Sequence, residues 1–173
     1  MHGERVVASQ EATSMERGEP PSQSETLSAA LRLIRAHRRL RASEVARDMN
    51  MALRSYEHFE AGGGRINVER IHRFAAATDS DPYAIFASLA LGSPEFAVRC
   101  ADNKLMTIFA VAVQEFDEAI GASISDLDAR TIINTFTKAL GELGQQAVRK
   151  DSEAEAWLDS RLGRLALPAK EPS

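Results

Sequence analysis

The run Val45–Phe59, VARDMNMALRSYEHF, constrains this chain more than any other stretch. Val45, Ala46 and Met49 have the spacing of one helix face, and Tyr56 and Phe59 repeat it further on. Between the two stripes stands Asn50, which tolerates the left-handed backbone conformation better than most non-glycine residues, so the chain can turn sharply there. Ala46 is small enough for two helices to cross at close range, and Met51 is placed to plug the angle between them. Two short helices joined by a tight turn are the predicted result. With Tyr56 and Phe59 facing inward, Leu53, Arg54, Ser55, Glu57 and His58 lie on the outer face of the second helix.

The flanking sequence repeats this pattern of short helices and brief breaks, without any sustained strand-like alternation. Leu31 and Ile34 lie one turn apart on a helix that precedes the pair. Gly62 is well placed to end the second helix of the pair with positive φ. Val68, Ile71, Phe74 and Ala75 supply the buried side of a fourth helix, and Tyr83, Ile85 and Phe86 that of a fifth. The tripeptide Gly62-Gly63-Gly64 is not a nucleotide cradle, because no strand precedes it and no Lys-Ser/Thr follows. Leu91-Gly92-Ser93-Pro94 carries boundary chemistry, since Gly can stop a helix and Pro suits only the first turn of the next.

The charge is unevenly divided. Between Thr26 and Thr78 there are 10 Arg and no Lys against 5 acidic residues, a balance of +5, while the remainder of the chain carries −9. A cationic module joined to an acidic one explains how a net charge of −4 is compatible with an anionic partner.

The five-helix order over residues 27–88, with VARDMNMALRSYEHFEAG running without a gap through both helices of the pair, resembles the lambda-repressor-like, XRE-type helix-turn-helix regulators. The resemblance implies that the second helix of the pair enters the major groove of double-stranded DNA, with Leu53, Arg54, Ser55, Glu57 and His58 as base-contact candidates. Arg54 suits the O6 and N7 acceptors of guanine, and Leu53 the methyl group of thymine. It further implies backbone contacts from Arg41, Ser43, Arg65 and Arg70, and an ion pair between Arg35 of the first helix and Glu60 at the end of the third. Two positions depart from the family pattern: Ala42 stands where a backbone-contacting Gln is usual, and Asn50 where Gly is usual.

Beyond this module, two longer amphipathic segments are expected near 103–120 and 126–149, the second capped by Ser125 or Asp126, with a shorter helix from about 153 to 165. In the second segment Ile133, Phe136, Leu140 and Leu143 fall on one face. One further helix carrying Trp157, Leu158 and Leu162 is too little to cover two such stripes, so this seam is expected to join a homodimer. The predicted organisation is all-α: a disordered arm at 1–25, a five-helix DNA-binding domain at 26–91, a helical dimerisation or partner domain at 92–166, and a tail at 167–173.

Other classes find little footing. His2, His37, His58 and His72 lack metal-ligand spacing, and Cys100 is the single cysteine. No catalytic constellation or cofactor motif stands out, so neither an enzyme nor a cofactor is expected. No apolar stretch reaches the roughly 18 residues that span a bilayer, and the N-terminus lacks the apolar run of a secretory signal, so a soluble cytoplasmic protein without a membrane partner is expected. RNA polymerase or another regulator is a further candidate partner. The alternative class is an antitoxin-like or phage-regulatory interaction protein whose acidic helical half binds another protein, with DNA binding secondary.

Overall fold

A computed structural model of the chain describes residues 21–162, with side chains described for residues 21–149. Among the described residues every regular element is helical. The described residues divide into two compact units, one up to Glu118 and one from Ala119 onward.

The first helix, α1 (Gln23–His37), begins within the stretch expected to be a disordered arm. The cause is a reciprocal cap: the Ser22 hydroxyl accepts from the Glu25 N–H, and the Glu25 carboxylate accepts from the Ser22 N–H at 2.8 Å. Residues 1–20 of that arm lie outside the described residues. Helices α2 (Ala42–Asp48) and α3 (Leu53–Glu60) follow, with the turn between them made at Asn50, φ 52°. Helix α4 (Val68–Ala77) is capped by Asn67, whose side chain accepts from the Arg70 N–H at 2.9 Å. Helix α5 (Pro82–Leu91) starts on Pro82 and stops at Gly92 in the left-handed conformation.

Leu27, Ala30, Leu31 and Ile34 of α1 meet Val45, Ala46 and Met49 at α2 and Tyr56 and Phe59 of α3 in one core. Ile71, Phe74 and Ala75 of α4 and Ile85 of α5 complete it, with Met51 half-buried against it. Two expected core residues lie outside. Val68 is 59% exposed, because the buried stripe of α4 starts one turn later at Ile71. Tyr83 is exposed too, its ring set edge-on against His72 with centroids 5.8 Å apart.

The boundary chemistry at 91–94 ends α5 but not the compact unit. A short helix, α6 (Pro94–Arg99), packs on α1 and α5 and buries Ala97, followed by buried Cys100 and Ala101. The turn after α6 is stitched to the α4–α5 turn: Lys104 Nζ donates to Asp79 O at 2.8 Å, and Arg38 bonds Thr78 O, Asp79 O and Asp102. Helix α7 (Leu105–Ile120) carries no fully buried residue.

In the second unit a 3-10 turn (Gly121–Asp126) leads to α8 (Ala129–Leu162). Its cap is Asp128 rather than Ser125 or Asp126: Thr131 N–H and Oγ1–H donate to the two Asp128 oxygens at 3.0 and 2.6 Å. The separate helix expected from 153 is the continuation of α8, because no Gly or Pro interrupts Val148–Leu162. The side chains of Trp157, Leu158 and Leu162, and the tail at 167–173, lie outside the described residues. No described helix is long and apolar enough to cross a membrane.

Candidate nucleic-acid interface

An eight-residue helix has little stability alone, so α3 depends on what holds its inner face. Tyr56 and Phe59 are buried in the core. At its C-terminal end Glu60 receives Arg35 in a two-pronged grip, Nε to Oε1 at 2.6 Å and Nη2 to Oε2 at 3.1 Å. The Tyr56 hydroxyl donates to the same Oε1 at 2.7 Å, and Arg35 Nη1 also donates to the Leu40 carbonyl at 3.2 Å. Burial pulls the Glu60 carboxyl upward, but the Arg35 and Tyr56 hydrogen bonds and the Arg35 charge outweigh it and hold the group below the usual carboxylate range. Burial and the adjacent carboxylate push the Tyr56 phenol strongly up, so it stays a donor. Arg35 and Glu60 therefore join α1 to α3 and are unavailable to a ligand.

The helix then ends through two glycines with different tasks. Gly62, at φ +78°, allows Gly63 N–H to reach His58 O at 2.9 Å and Gly62 N–H to reach Phe59 O at 3.0 Å, closing the helix end. A Cβ on Gly62 would lie 2.6 Å from Ser24 O, a backbone atom. At Gly63 a Cβ would collide with the His58 imidazole, so that ring is folded back over the loop.

This anchoring leaves Leu53, Arg54, Ser55, Glu57 and His58 together on the exposed face of α3. Arg54 carries no ion pair among the described residues, nor do Arg65 and Arg70. No side chain caps α3 at Ala52, so the first-turn N–H groups face outward with the positive end of the helix dipole. Ser55 and Arg70 share an open cleft of about 370 Å³ with Met51, Ala52, Asn67, Glu69 and Arg73. Arg73 is held by Glu69 one turn away on α4.

Arg41 and Ser43 lie exposed at the start of α2, but Arg41 is committed locally. Its backbone N–H and guanidinium both reach Glu44, at 2.7 and 3.1 Å. The carboxylate of Glu44 thus occupies the N-terminal end of α2 and offsets the Arg41 charge. Arg65 lies exposed in the loop after α3. In the second unit, Ile133, Leu140 and Leu143 are 62%, 58% and 56% exposed, and Phe136 is also exposed.

Asn67 and Arg73 join the site although sequence reasoning did not place them there. The capping chemistry of Asn67 was the available signal, since a cap brings its residue to the mouth of a helix. Among the described residues no group of His, Cys, Asp and Glu is arranged to hold a metal ion. No known protein family, curated protein or solved structure matches this chain.

Proposed function

We propose that this chain is a sequence-specific DNA-binding transcriptional regulator of the lambda-repressor-like, helix-turn-helix kind, acting as a homodimer on double-stranded DNA. The observation that carries the reading is the division of α3. Its inner face is anchored by Tyr56, Phe59 and Glu60, and its outer face presents Arg54 without a carboxylate partner. An arginine so placed is free to bond a guanine edge in bidentate fashion, worth about 1–3 kcal/mol of discrimination between bases. Leu53, 44% exposed beside it, suits a thymine methyl group. Ser55, Glu57 and His58 extend the same face.

Phosphate contacts in this reading come from Arg65, Arg70 and the cleft that Arg70 shares with Ser55 and Asn67. Arg41 and Ser43 flank the site at the start of α2, with Arg41 contributing less while Glu44 holds it. A single module of this size buries too little groove surface for high specificity, and two copies reading half-sites one helical turn apart supply the rest. The seam Ile133, Phe136, Leu140 and Leu143 on α8 is the surface through which a second copy would pair.

A gel shift of the full chain on genomic fragments tests this. Discrete fragments should remain shifted in the presence of excess random DNA. No shift, or a shift abolished by the competitor, would overturn the reading. It would also turn attention to a protein partner for the acidic helical half.

A further inference from the structure

We propose that this chain selects half-sites holding two neighbouring G·C pairs, with Arg54 bonding the guanine of one and Glu57 the cytosine of the other, while His58 is kept out of the groove. The inference rests on the DNA-binding reading above and deepens it from an exposed face of α3 to a base preference. Arg54 and Glu57 stand three residues apart on α3, and both are exposed. Opposite charges at that spacing are neighbours on a helix surface, yet these two form no ion pair, and neither meets another charged partner among the described residues. Exposed charges on the adjoining helices behave differently: Arg41 closes on Glu44, Arg47 on Asp48 and Arg73 on Glu69. The outer face of α3 therefore holds a donor and an acceptor that the fold leaves unspent.

Three residues advance a helix by about 4.5 Å, close to the roughly 3.4 Å between stacked base pairs. Side chains at that spacing in a major groove meet successive pairs. The guanidinium of Arg54 only donates, and its fork matches the O6 and N7 acceptors of guanine. The carboxylate of Glu57 only accepts, so it needs an amino group. Guanine presents acceptors alone in the major groove, and thymine an acceptor and a methyl group. Adenine sets its amino group beside the N7 lone pair, which repels the second carboxylate oxygen. Cytosine offers N4–H2 with no acceptor next to it, and is the base that suits Glu57.

His58 lies one turn beyond Arg54 and belongs to the same face by spacing, but its ring is not offered there. The three atoms nearest to a Cβ built on Gly63 are Cε1, Nδ1 and Nε2 of the imidazole, all within collision distance. The missing side chain of Gly63 is thus the seat of the ring. With the imidazole seated, the face that carries Arg54 and Glu57 stays open to bases.

The experiment selects binding sites for the full chain from a random DNA pool and measures affinities for single-base variants of the selected site. Wild type should select two adjacent G·C pairs and lose about tenfold in affinity when either is replaced. Glu57→Gln should exchange cytosine for adenine at one pair and keep guanine at the other, because a carboxamide both donates and accepts and so matches adenine N6 and N7. Glu57→Ala should bind all four bases at that pair about equally. His58→Ala should select the wild-type site. Gly63→Ala displaces only a side chain that is free to turn, so it should fold, swing the imidazole outward and weaken binding to that site; combining it with His58→Ala should restore the affinity. A cytosine preference that persists in both Glu57 variants would overturn the assignment. So would a loss of discrimination at the guanine instead, which would make Glu57 a group that steers Arg54. Unfolding of Glu57→Gln, seen by circular dichroism, would overturn it as well, since the carboxylate would then be holding the fold. The seat of His58 is wrong if His58→Ala changes the selected site, or if Gly63→Ala unfolds or binds as wild type. A wild-type chain that selects no sequence would sink the DNA-binding reading itself, a result distinct from every variant outcome above.

Discussion

The bond between α1 and α3 is the most exacting test of the architecture. Arg35→Met keeps the aliphatic stem but removes both guanidinium bonds to Glu60 and the bond to Leu40 O. Glu60 then keeps only the Tyr56 hydroxyl. Breaking one side of a buried pair costs about 3–5 kcal/mol. The Arg35 side chain is 26% exposed and that of Glu60 10%, so water screens the stranded carboxylate and we expect a loss of about 2–3 kcal/mol. Glu60→Leu should cost a similar amount, and the double variant should cost less than the sum by about 2 kcal/mol. Urea unfolding of the full chain at neutral pH measures all three. Because Glu60 has a lowered pKa in the folded state, its contribution is complete above the unfolded carboxyl value and is lost as pH falls through the folded one. The gap between wild type and Arg35→Met should therefore narrow in acid, a comparison in which the other lowered carboxyls, Glu25, Glu44, Asp79, Asp102 and Asp128, largely cancel. Additive single losses, or a gap independent of pH, would refute the pairing.

Three further outcomes follow from the proposed interface. Arg54→Ala should weaken specific DNA binding by about 1–3 kcal/mol and leave binding to random DNA nearly intact, as read by competition gel shifts. Arg65→Gln and Arg70→Gln should each lower affinity across sequences and flatten the plot of log affinity against log salt by about 0.9, with a smaller change for Arg41→Gln because Glu44 already offsets it. Leu140→Glu should give a folded monomer by sedimentation equilibrium, since an unpaired carboxylate in an apolar seam is strongly unfavourable. A wild-type chain that itself sediments as a monomer at micromolar concentration would remove the seam.

Helices α1 to α5 were the more legible because each buries one face against a shared core. Val45, Ala46, Met49, Tyr56, Phe59, Ile71, Phe74 and Ile85 stand where their spacing puts them. Asn50 and Gly62 take positive φ where the turn and the helix end require it. Helix α6 escaped because six residues give no periodicity, and Ser93-Pro94 reads as a boundary whether or not the next helix packs back. Asp81 escaped for a different reason. As a local cap of α5 it is visible in sequence, but its bonds to Met106 and Thr107 are long-range, and no spacing rule announces them. The full run of α8 is not legible as one helix because the apolar stripe through Leu143 gives way to the charged stretch at 149–155, where no proline stops the helix.

The way α3 is held also explains the character of its free end. Its restraints gather toward the C-terminus: Tyr56 and Phe59 in the core, Glu60 on Arg35, and the glycine turn pressed against Ser24. At the opposite end Ala52 offers no cap, and Met51 supplies only apolar contact. Elsewhere in the same unit Ser22, Asn67 and Asp81 satisfy the N-termini of α1, α4 and α5 from within the chain. A capping side chain at position 52 would occupy the N–H groups that an incoming anion needs, and a carboxylate there would repel it. An uncapped N-terminus that shares its cleft with the unpaired guanidinium of Arg70 is costly for an isolated fold and favourable for one completed by a phosphate. Ala52→Asp should therefore stabilise the free chain by about 0.5–2 kcal/mol in urea unfolding while weakening its binding to DNA. A variant that gains stability and keeps its affinity would show that the open end of α3 takes no part in the contact.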